Sequence, residues 1–411
     1  MPIRLAPPFK PAPPFGNGGK GDFEPACYNR AAMARILYIV TSSGVGGTEL
    51  ALWHLLRRLD RSRWEPTVVS LKPPGEIAGR IRALGIEVLS PGIGDETGAF
   101  AALELILEAR RLPRLLGGRR FDIVHSLLFR AHLLGRLAAR RIGARAVVNS
   151  YRSGAEAGSG WLLRADRWTL PRVTRFHLQS AGLASDLCRR LGVDLKRSVV
   201  IPNGIDLAEA DAALAIGRAE ARRRLGLFPT DLAVVYLGRL HEEKGVEHLV
   251  TAFHGLLQAH PAARLLLAGD GPSRRFLELA VDTLRLKPFV RFLGTVADAW
   301  PLLAGADIFA LPSLREGMPN ALLEAMAASL PSVATAVGAV PEMVTDGRES
   351  FVVPPGDAGA LALALAELAA RPALRQVMGT LAHRKVEDAY RIETTVAGIE
   401  RLYEELLTAQ G

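Results

Sequence analysis

The stretch LAVVYLGRLHEEKG, Leu232 to Gly245, is a short apolar run that ends in a glycine and a group of charged residues. The apolar part is too short for a buried helix and has the aliphatic side chains of a strand covered on both faces. The charged residues Arg239 and Lys244 follow where such a strand ends. In an open α/β sheet, residues beyond the carboxyl end of a parallel strand face the ligand crevice. The stretch therefore predicts both a parallel sheet and a functional loop.

Eleven further runs of the same kind alternate with helical patterns along the chain. In the first half they are RILYIV, EPTVVSL, IEVLS, FDIVHS, RAVVNS and RFHLQS; in the second half they are ARLLLAG, FVRFLG, DIFALP, PSVATA and FVVP. Continuous apolar strands separated by helices form parallel sheets that helices cover on both faces. Two such series in 411 residues predict an α/β fold with two doubly wound parallel-sheet domains that face each other across a cleft.

A change of pattern near SVVIPNGIDL marks the expected boundary between the two sheets. The predicted parts are a disordered Pro/Gly-rich extension (1–33), a first Rossmann-like domain (34–205), a second Rossmann-like domain (206–385) and a closing helix (386–411). Just after the boundary, residues Asp211 to Leu225 have the pattern of one helix rich in alanine and arginine.

The composition is that of a soluble globular protein, with 49% hydrophobic and 23% charged residues. Two cysteines do not suggest a disulfide framework, and no apolar run of about 18 residues predicts a membrane span. The first residues lack the apolar core of a secretory signal. We therefore expect a cytoplasmic protein. The net charge of +9 favours anionic partners: phosphorylated ligands, anionic lipid or nucleic acid.

The loop TSSGVGGTEL joins the first predicted strand to a helix. Gly46 and Gly47 allow a tight turn there, and the free amides at the start of a helix attract anions. A plain turn between a strand and a helix remains the alternative, as it does for the later loop LAGDGP.

The loop GRLHEEKG, which ends the opening stretch, places two cations at the predicted crevice. Arg239 and Lys244 could neutralise a diphosphate there, each contact being worth roughly a few kcal/mol at an effective dielectric constant of about 20. A solvated charge cluster is the alternative.

The stretch SLREGMPNALLEAMA combines a turn, the start of a helix and two glutamates. The amides of Gly317, Met318 and Asn320 are expected to point at an anion. Glu316 and Glu324 are expected to accept hydrogen bonds from sugar hydroxyls, and together these features suit a sugar nucleotide. Surface positions for both glutamates remain the alternative.

Some common motifs are missing from the sequence. It has no Asp-x-Asp, no G-x-x-x-x-G-K-[ST] loop and no H-E-x-x-H. Chemistry that bridges a diphosphate through a metal ion therefore loses support, and cations of the protein would take the place of magnesium. We expect no metal site and no cofactor.

Taken together, these motifs resemble the retaining GT-B glycosyltransferases of glycosyltransferase family four. The resemblance extends from about Arg35 to the C-terminus and is strongest in the second half. The residues that carry it are Gly46-Gly47-Thr48-Glu49, Pro202-Asn203-Gly204-Ile205-Asp206, Gly238-Arg239-Leu240 with Lys244-Gly245, Gly269-Asp270-Gly271-Pro272, Glu316 with Glu324, and Thr335 to Gly347.

The resemblance implies a role for each matching position. Arg239 and Lys244 would hold the donor diphosphate and stabilise the leaving nucleotide, and Glu316 would contact the transferred sugar. Glu324 would bind the nucleotide ribose. The amides of Gly317, Met318 and Asn320 would face the diphosphate, with Gly46 and Gly47 across the cleft. The implied reaction is front-face transfer with retention, without a metal ion, from a UDP- or GDP-sugar in a cleft closed by domain movement.

The sequence departs from the family after the fourth strand, where many members carry His-x-His. Here Leu127 takes the place of the second histidine, which lies near the reacting sugar in the family. His125 and His132 are the candidate acceptor-side residues. A structural role at the end of the strand is the alternative for His125.

Arginines and tryptophans cluster in the first half. Arg110, Arg111, Arg114, Arg119 and Arg120 follow AFAALELIL, and Arg164, Arg167 and Arg172 interleave with Trp161 and Trp168. Basic amphipathic helices with tryptophan bind anionic membrane surfaces. This favours a lipid-linked acceptor and a peripheral position at the inner face of the membrane. Covering helices with arginine-rich outer faces are the alternative.

These observations predict a glycosyltransferase that moves a hexose or related sugar from a nucleotide donor to a sugar or lipid-linked acceptor of the cell envelope. Two other functions remain open: a GT-B phosphorylase, and a non-catalytic protein with a decayed cleft that binds membrane or nucleic acid. Because the donor motifs are intact, nucleic acid is not an expected partner.

Overall fold

The computed structural model describes residues 33–44, 46–93, 98–152 and 160–409. The predicted extension over 1–33 lies outside this part of the chain, apart from Met33.

The first half of the chain forms a seven-stranded parallel sheet. Its strands are β1 (Ala34–Val40), β2 (Trp64–Ser70), β3 (Glu87–Leu89), β4 (Ile123–Leu127), β5 (Ala146–Tyr151), β6 (Arg175–Leu178) and β7 (Ser198–Val200). Their spatial order is β3-β2-β1-β4-β5-β6-β7. Neighbouring residues of β1, Leu37 and Tyr38, belong to different apolar cores. The sheet is therefore covered on both faces, which is why its strands are continuously apolar.

The second half forms a six-stranded parallel sheet of the same design. Its strands are β8 (Leu232–Leu237), β9 (Ala263–Ala268), β10 (Val290–Gly294), β11 (Ile308–Leu311), β12 (Ser332–Thr335) and β13 (Ser350–Val353). The spatial order is β10-β9-β8-β11-β12-β13. In β8 the adjacent Val234 and Val235 again pack into separate cores. The predicted pair of doubly wound parallel sheets is confirmed.

The helices connect and cover the strands. Those of the first half are α1 (Gly47–Arg58), α2 (Glu76–Ala83), α3 (Gly98–Leu115), α4 (Phe129–Ala138), α5 (Gly160–Thr169) and α6 (Ala181–Leu191). Those that follow are α7 (Leu207–Leu214), α8 (Arg218–Arg224), α9 (Val246–Ala259), α10 (Arg274–Thr283), α11 (Trp300–Gly305), α12 (Asn320–Ala327), α13 (Val340–Met343), α14 (Ala358–Ala370), α15 (Pro372–Ala389) and α16 (Ile392–Thr408). None of the helices in the described ranges is long and apolar enough to span a bilayer.

All twelve predicted strands are present, one further strand was not predicted, and the prediction of one helix was wrong. Residues Ser198–Val200, assigned to the boundary, form the short edge strand β7 of the first sheet. The single helix predicted over Asp211 to Leu225 is two helices, α7 and α8, separated by a turn that ends at Gly217. Asp206 accepts a hydrogen bond from the amide of Glu209, so α7 begins earlier than predicted.

The chain passes between the two sheets twice, and the two crossings touch. At the first, the amide of Ile205 donates to the carbonyl of Tyr390 (2.8 Å), and the amide of Ile392 donates back to Ile205 (2.9 Å). A side chain at Gly204 would collide with the second crossing, because its Cβ would lie 2.5 Å from the carbonyl oxygen of Arg391. The last helix, α16, then packs its apolar face into the core of the first sheet.

Ion pairs beside these crossings also join the halves. Arg58 on α1 contacts Asp206 at 2.5 Å, and its neighbour Arg57 contacts Glu209 on α7 at 2.5 Å. Asp206 is almost fully buried, so its pairing with a cation avoids the large cost of an isolated buried charge.

Candidate active site

A cleft of about 820 Å³ lies between the two halves of the molecule. Its walls include residues that follow the carboxyl ends of strands from both sheets, such as Arg152 after β5, Gln179 after β6, and Gly238 after β8. Ligand crevices of open α/β sheets occur at this edge.

The cations of the opening stretch both line the cleft. The backbone of Arg239 is held by Tyr236, whose hydroxyl donates to the Arg239 carbonyl at 2.8 Å. The Arg239 side chain is exposed and has no ion-pair or hydrogen-bond partner among the described residues. Lys244 ends a short 3₁₀ turn, and its Nζ lies 2.7 Å from Glu316 Oε1. The structure thus brings both cations to the cleft, with Lys244 paired to a carboxylate and the Arg239 side chain exposed.

Glu316 is held from two sides in the loop after β11. Its Oε1 accepts hydrogen bonds from Lys244 Nζ and from Ser313 Oγ, both at 2.7 Å. The loop is packed tightly behind: Gly338 has a φ of +56°, and a Cβ there would lie 2.4 Å from the Glu316 carbonyl oxygen. One carboxylate oxygen is therefore fixed by the protein, and Oε2 is left without a partner in the described parts of the chain.

The start of α12 forms the floor between the two halves. Gly317, Met318 and Asn320 line the cleft. The Asn320 side chain bridges the cleft, because its Nδ2 donates to the Gly47 carbonyl (3.1 Å) and its Oδ1 accepts from Asn203 Nδ2 (2.7 Å). The contacts of Asn320 are thus made by its side chain, whereas the prediction concerned its backbone N–H group.

Glu324 lies one helical turn beyond Asn320 on the same face of α12. Its side chain is half-buried, and burial raises the pKa of its carboxyl group from 4.5 to about 7. No hydrogen bond or ion pair to the described residues offsets that burial. Glu324 is not among the residues that border the cleft directly. A half-buried carboxyl with a raised pKa and no partner among the described residues is a candidate for ligand binding.

The glycine loop lies across the cleft from α12. Gly47 lines the cleft, and Gly46 is the residue that precedes α1. Glu49 on the first turn of α1 is buried and accepts a hydrogen bond from Ser42 Oγ at 2.5 Å. The loop LAGDGP does not reach the cleft; the amide of Leu240 donates to the Asp270 carbonyl (2.9 Å), so this loop supports the one that carries Arg239.

The structure does not bring His125 and His132 into the cleft, which corrects their assignment as acceptor-side residues. Both are buried in the first domain. His177 Nε2 donates to the Ile201 carbonyl (3.0 Å), and Ser150 Oγ joins His177 Nδ1 to His125 Nε2 (both 2.5 Å). Burial holds the pKa of His125 and of His132 well below 6.5, and that of His177 at about 3. The structural alternative fits this placement.

The residue of this segment that does face the cleft is Leu128, one position after the site that the family resemblance emphasises. Leu127 is 1% exposed at the end of β4. Leu128 has φ +73° and ψ 155°, a backbone conformation that non-glycine residues rarely adopt. Such strain costs roughly 1–3 kcal/mol and is concentrated at functional sites.

The sequence analysis assigned no individual role to several residues that line the cleft. Arg152, Gln179 and Asn203 form one network, since Arg152 Nη1 (2.6 Å) and Gln179 Nε2 both donate to Asn203 Oδ1. Arg190 on α6 and Arg315 beside Glu316 also line the cleft. Arg152 and Gln179 could have been identified from the sequence, because each lies just after the carboxyl end of a predicted strand.

A second contact between the halves lies beside this wall. The carboxylate of Glu342 on α13 accepts hydrogen bonds from the amides of Ala181 (2.9 Å) and Gly182 (2.7 Å) at the start of α6. A carboxylate complements the partial positive charge at a helix N-terminus.

Comparison with known proteins places the chain in a family. Residues 45–209 match the family model Glycosyltransferase Family 4, and residues 231–371 match Glycosyl transferases group 1. A D-inositol 3-phosphate glycosyltransferase of Salinispora arenicola is 30% identical over 376 residues, which cover 84% of this chain and 81% of the relative. A UDP-Gal:alpha-D-GlcNAc-diphosphoundecaprenol alpha-1,3-galactosyltransferase of Escherichia coli is 28% identical over 306 residues, covering 71% and 77%.

Solved structures show the same fold. Anabaena Alr3699/HepE, in complex with UDP and glucose, matches with a TM-score of 0.77 at 21% identity over 90% of this chain and 99% of that one. Sucrose-phosphate synthase from Thermosynechococcus elongatus matches with a TM-score of 0.76 at 21% identity, covering 91% and 100%. With its two Rossmann-like domains and both family matches, the chain belongs to glycosyltransferase family 4 and has the GT-B fold.

Proposed function

We propose that this glycosyltransferase transfers a sugar from a UDP- or GDP-sugar to an acceptor, with retention of configuration and without a metal ion. The observation that carries the proposal is the meeting of Arg239, Lys244 and Glu316 in one cleft with the start of α12. A decayed cleft would not keep these groups together. Among the described residues, no contact in the cleft favours the phosphorylase alternative.

Two cations and the start of a helix would bind the leaving diphosphate. Arg239 and Lys244 lie on the wall formed by the loop after β8, and the cleft-lining residues Gly317 and Met318 precede α12. Charge that develops on the leaving diphosphate as the glycosidic bond breaks would be stabilised by groups already in position. Because Lys244 is fixed by Glu316, it needs little reorganisation when the donor binds.

The two glutamates would bind the donor through its hydroxyl groups. Glu316 keeps Oε2 for a sugar hydroxyl while Oε1 is held by Lys244 and Ser313. Glu324, without a protein partner in the described residues, would accept hydrogen bonds from the ribose diol. Deprotonated Glu324 is the form that accepts both, so donor binding would lower its pKa.

Retention is the outcome that the family resemblance implies. Among the described residues, the acidic side chains that line the cleft are Asp186, Glu243 and Glu316, and Glu316 is paired with Lys244. In the proposed step the acceptor oxygen attacks C1 on the face that the diphosphate leaves. The acceptor O–C1 bond forms, the C1–O bond to phosphate breaks, and the acceptor proton moves to the departing phosphate oxygen.

The test is nucleotide diphosphate release with a panel of UDP- and GDP-sugars, with the anomeric configuration of the product read by NMR. Addition of EDTA should not change the rate. Equal turnover by the wild type, Lys244→Ala and Glu316→Ala would refute the assignment, and an inverted product would refute retention.

The acceptor is proposed to be lipid-linked or part of a cell-envelope glycan, reached from a membrane surface. α3 and α5 pack side by side, and α3 exposes Leu103, Ile106 and Leu107 next to Arg110 and Arg111. On α5, Trp168 is 66% exposed and stacks with Arg172 at 4.3 Å. The Trp161 side chain lies outside the described residues. Exposed apolar side chains with arginines beside them suit an anionic bilayer.

Sedimentation with phosphatidylglycerol vesicles tests this surface. Ile106→Asp and Trp168→Ala should each weaken binding. Phe276→Asp, which changes an apolar residue on α10 that is at least as exposed as Ile106, is the control and should bind as the wild type does. Binding to neutral vesicles with the same strength would contradict the electrostatic part of the proposal.

A further inference from the structure

We infer that Glu342 is a positioning residue, which holds the two halves in contact and keeps the loop of Glu316 in place for transfer. Glu342 lies in the second half and does not border the cleft itself, but its carboxylate caps a helix of the first half. The inference rests on the proposed function in one respect, because it takes Glu316 as the residue that contacts the transferred sugar.

The first turn of α6 is capped by residues from both halves. An α-helix leaves its first N–H groups without acceptors inside the helix. Ser180 Oγ, in the first half, accepts from the amide of Leu183 (3.1 Å). Glu342 accepts from two more amides, that of Ala181 at Oε2 (2.9 Å) and that of Gly182 at Oε1 (2.7 Å). Separation of the halves would break both of these bonds.

The geometry of this contact favours a larger contribution than that of an ordinary exposed ion pair. Both oxygens of the Glu342 carboxylate are used, each by a backbone N–H group that the helix already holds in position. Hydrogen bonds to a charged group stabilise more than neutral ones, and the positive end of the helix dipole also attracts the carboxylate. Only one side chain loses rotamer freedom when the contact forms.

The two halves are packed closely beside Glu342. Gly182 and Gly338 border the cleft from opposite halves. A Cβ at Gly182 would lie 3.2 Å from Glu342 Oε1 and 3.6 Å from the Gly338 carbonyl oxygen. Glycine at this position therefore leaves room for the carboxylate to reach the helix.

The helix α13 connects this contact to the loop of Glu316. Just before α13, the amide of Ala339 donates to the carbonyl of Gly317, the residue after Glu316, at 2.7 Å. Within α13, the carbonyl of Glu342 accepts from the Tyr390 hydroxyl of the same half (3.2 Å). One short segment thus contacts the first half and the Glu316 loop at the same time, so contact between the halves is coupled to the placement of Glu316.

Nucleotide binding should depend less on this contact than transfer does. The proposed donor-binding side chains Arg239, Lys244 and Glu324 all lie in the second half, so a nucleotide can bind while the halves are apart. Transfer needs both halves, because an acceptor must meet the donor and water must be excluded. Loss of the Glu342 contact should therefore lower turnover more than nucleotide affinity.

The experiment compares the wild type with Glu342→Ala, Gly182→Asp and the double variant. Gly182→Asp is compatible with the start of a helix but brings a second negative charge against Glu342. The control is Glu367→Ala, which changes an exposed glutamate of α14 whose partner, Arg371, lies in the same half. Isothermal titration measures the affinity for UDP and GDP. Small-angle X-ray scattering measures the radius of gyration with and without saturating nucleotide, and nucleotide release from the active donor of the panel gives kcat.

We expect the wild type and Glu367→Ala to have the same radius of gyration and kcat. In Glu342→Ala the ratio of closed to open molecules should fall about tenfold, because hydrogen bonds to a charged group are lost. The nucleotide complex should then be more expanded, and kcat should fall by up to about tenfold, with a smaller change in nucleotide affinity. Gly182→Asp should behave in the same way. The double variant should be no worse than Glu342→Ala, because both substitutions remove one contact.

The inference is overturned if Glu342→Ala keeps either the radius of gyration or the kcat of the wild type. It is also overturned if nucleotide affinity and Tm fall in parallel with kcat, since Glu342 would then stabilise only its own half, or if the two substitutions have additive effects. Circular dichroism shows whether each variant is folded. If the wild type binds no nucleotide and turns over no donor, the proposed function fails instead, whereas scattering from the unliganded proteins still tests the contact.

Discussion

The two walls of the cleft differ in how their functional residues are encoded. On the second-half wall, Arg239 and Lys244 lie in one loop and Glu316 lies in the turn before α12, which carries Glu324 behind the wall. On the first-half wall, Arg152 and Arg190 come from separate elements. A wall that binds a uniform group such as a diphosphate can be built from short segments. The first-half wall, which we propose faces the acceptor, is instead lined by single side chains from several strand and helix ends.

Removing a cation or the carboxylate from the second-half wall should have the largest effect on catalysis. Lys244→Ala leaves Glu316 without its ion pair and removes a charge from the leaving-group site. We expect kcat to fall about 10²- to 10³-fold, as when an electrostatic stabiliser of the transition state is lost. Lys287→Ala, which changes an exposed lysine paired with Asp282, should keep full activity in the same assay.

Introducing a side chain at Gly338 should have the next largest effect, because this glycine packs against the loop that carries Glu316. Alanine would need a positive φ and would place its Cβ 2.4 Å from the Glu316 carbonyl oxygen and 2.5 Å from that of Gly317. We expect Gly338→Ala to lower kcat at least about tenfold and to destabilise the fold by roughly 1–3 kcal/mol. Gly79→Ala, at a position with open space, is the control in both assays. Wild-type activity in Gly338→Ala would show that the loop tolerates displacement.

The pH dependence of donor binding should identify Glu324 as the ribose-binding group. Its pKa of about 7 in the folded protein means that the carboxylate is only partly formed at pH 6 and mostly formed at pH 8. UDP should therefore bind more tightly as pH rises from 6 to 8, and Glu324→Gln should bind about tenfold more weakly at pH 8. A pH-independent affinity in the wild type would contradict this assignment.

The same residue gives a stability test with a defined sign. A carboxyl whose pKa is raised from 4.5 to about 7 on folding destabilises the free protein increasingly as pH rises from about 4.5 to 7. Urea unfolding of Glu324→Gln should thus show greater stability than the wild type at pH 8 and similar stability at pH 5. Lower stability at pH 8 would indicate a structural carboxylate.

The substitution expected to affect the cleft least is His125→Phe. Phenylalanine at this position would leave Ser150 and Tyr403 without their hydrogen bonds to the imidazole. We expect the free energy of unfolding to fall by about 1–3 kcal/mol, with the affinity for UDP unchanged. A selective loss of turnover, at wild-type stability, would restore the acceptor-side role that its burial argues against.

A feature could be predicted from the sequence where the residues that specify it are close together in the chain. The sheets were predictable because a strand buried on both faces is apolar throughout, as Val234 and Val235 illustrate. The loop that holds Lys244 was predictable because its glycines and charges are contiguous. The pairing of Lys244 with Glu316, and the contacts of Asn203 with Arg152 and Asn320, join residues far apart in the chain. No spacing rule connects such residues. His125 was misassigned because a strand-end histidine looks the same in sequence whether it faces solvent or the core.

The two adjacent chain crossings at Ile205 and Tyr390 set the geometry of any opening motion. Since both covalent links pass through one place, a relative rotation of the halves has its pivot there, and displacement grows with distance from it. Asn203, next to Gly204, lies beside the pivot, so its bond to Asn320 is strained least as the halves separate. The edge of the cleft farthest from the crossings would open most, so a bulky donor would enter there. A side chain introduced at Gly204 would therefore restrict the relative rotation of the two halves without contacting either substrate.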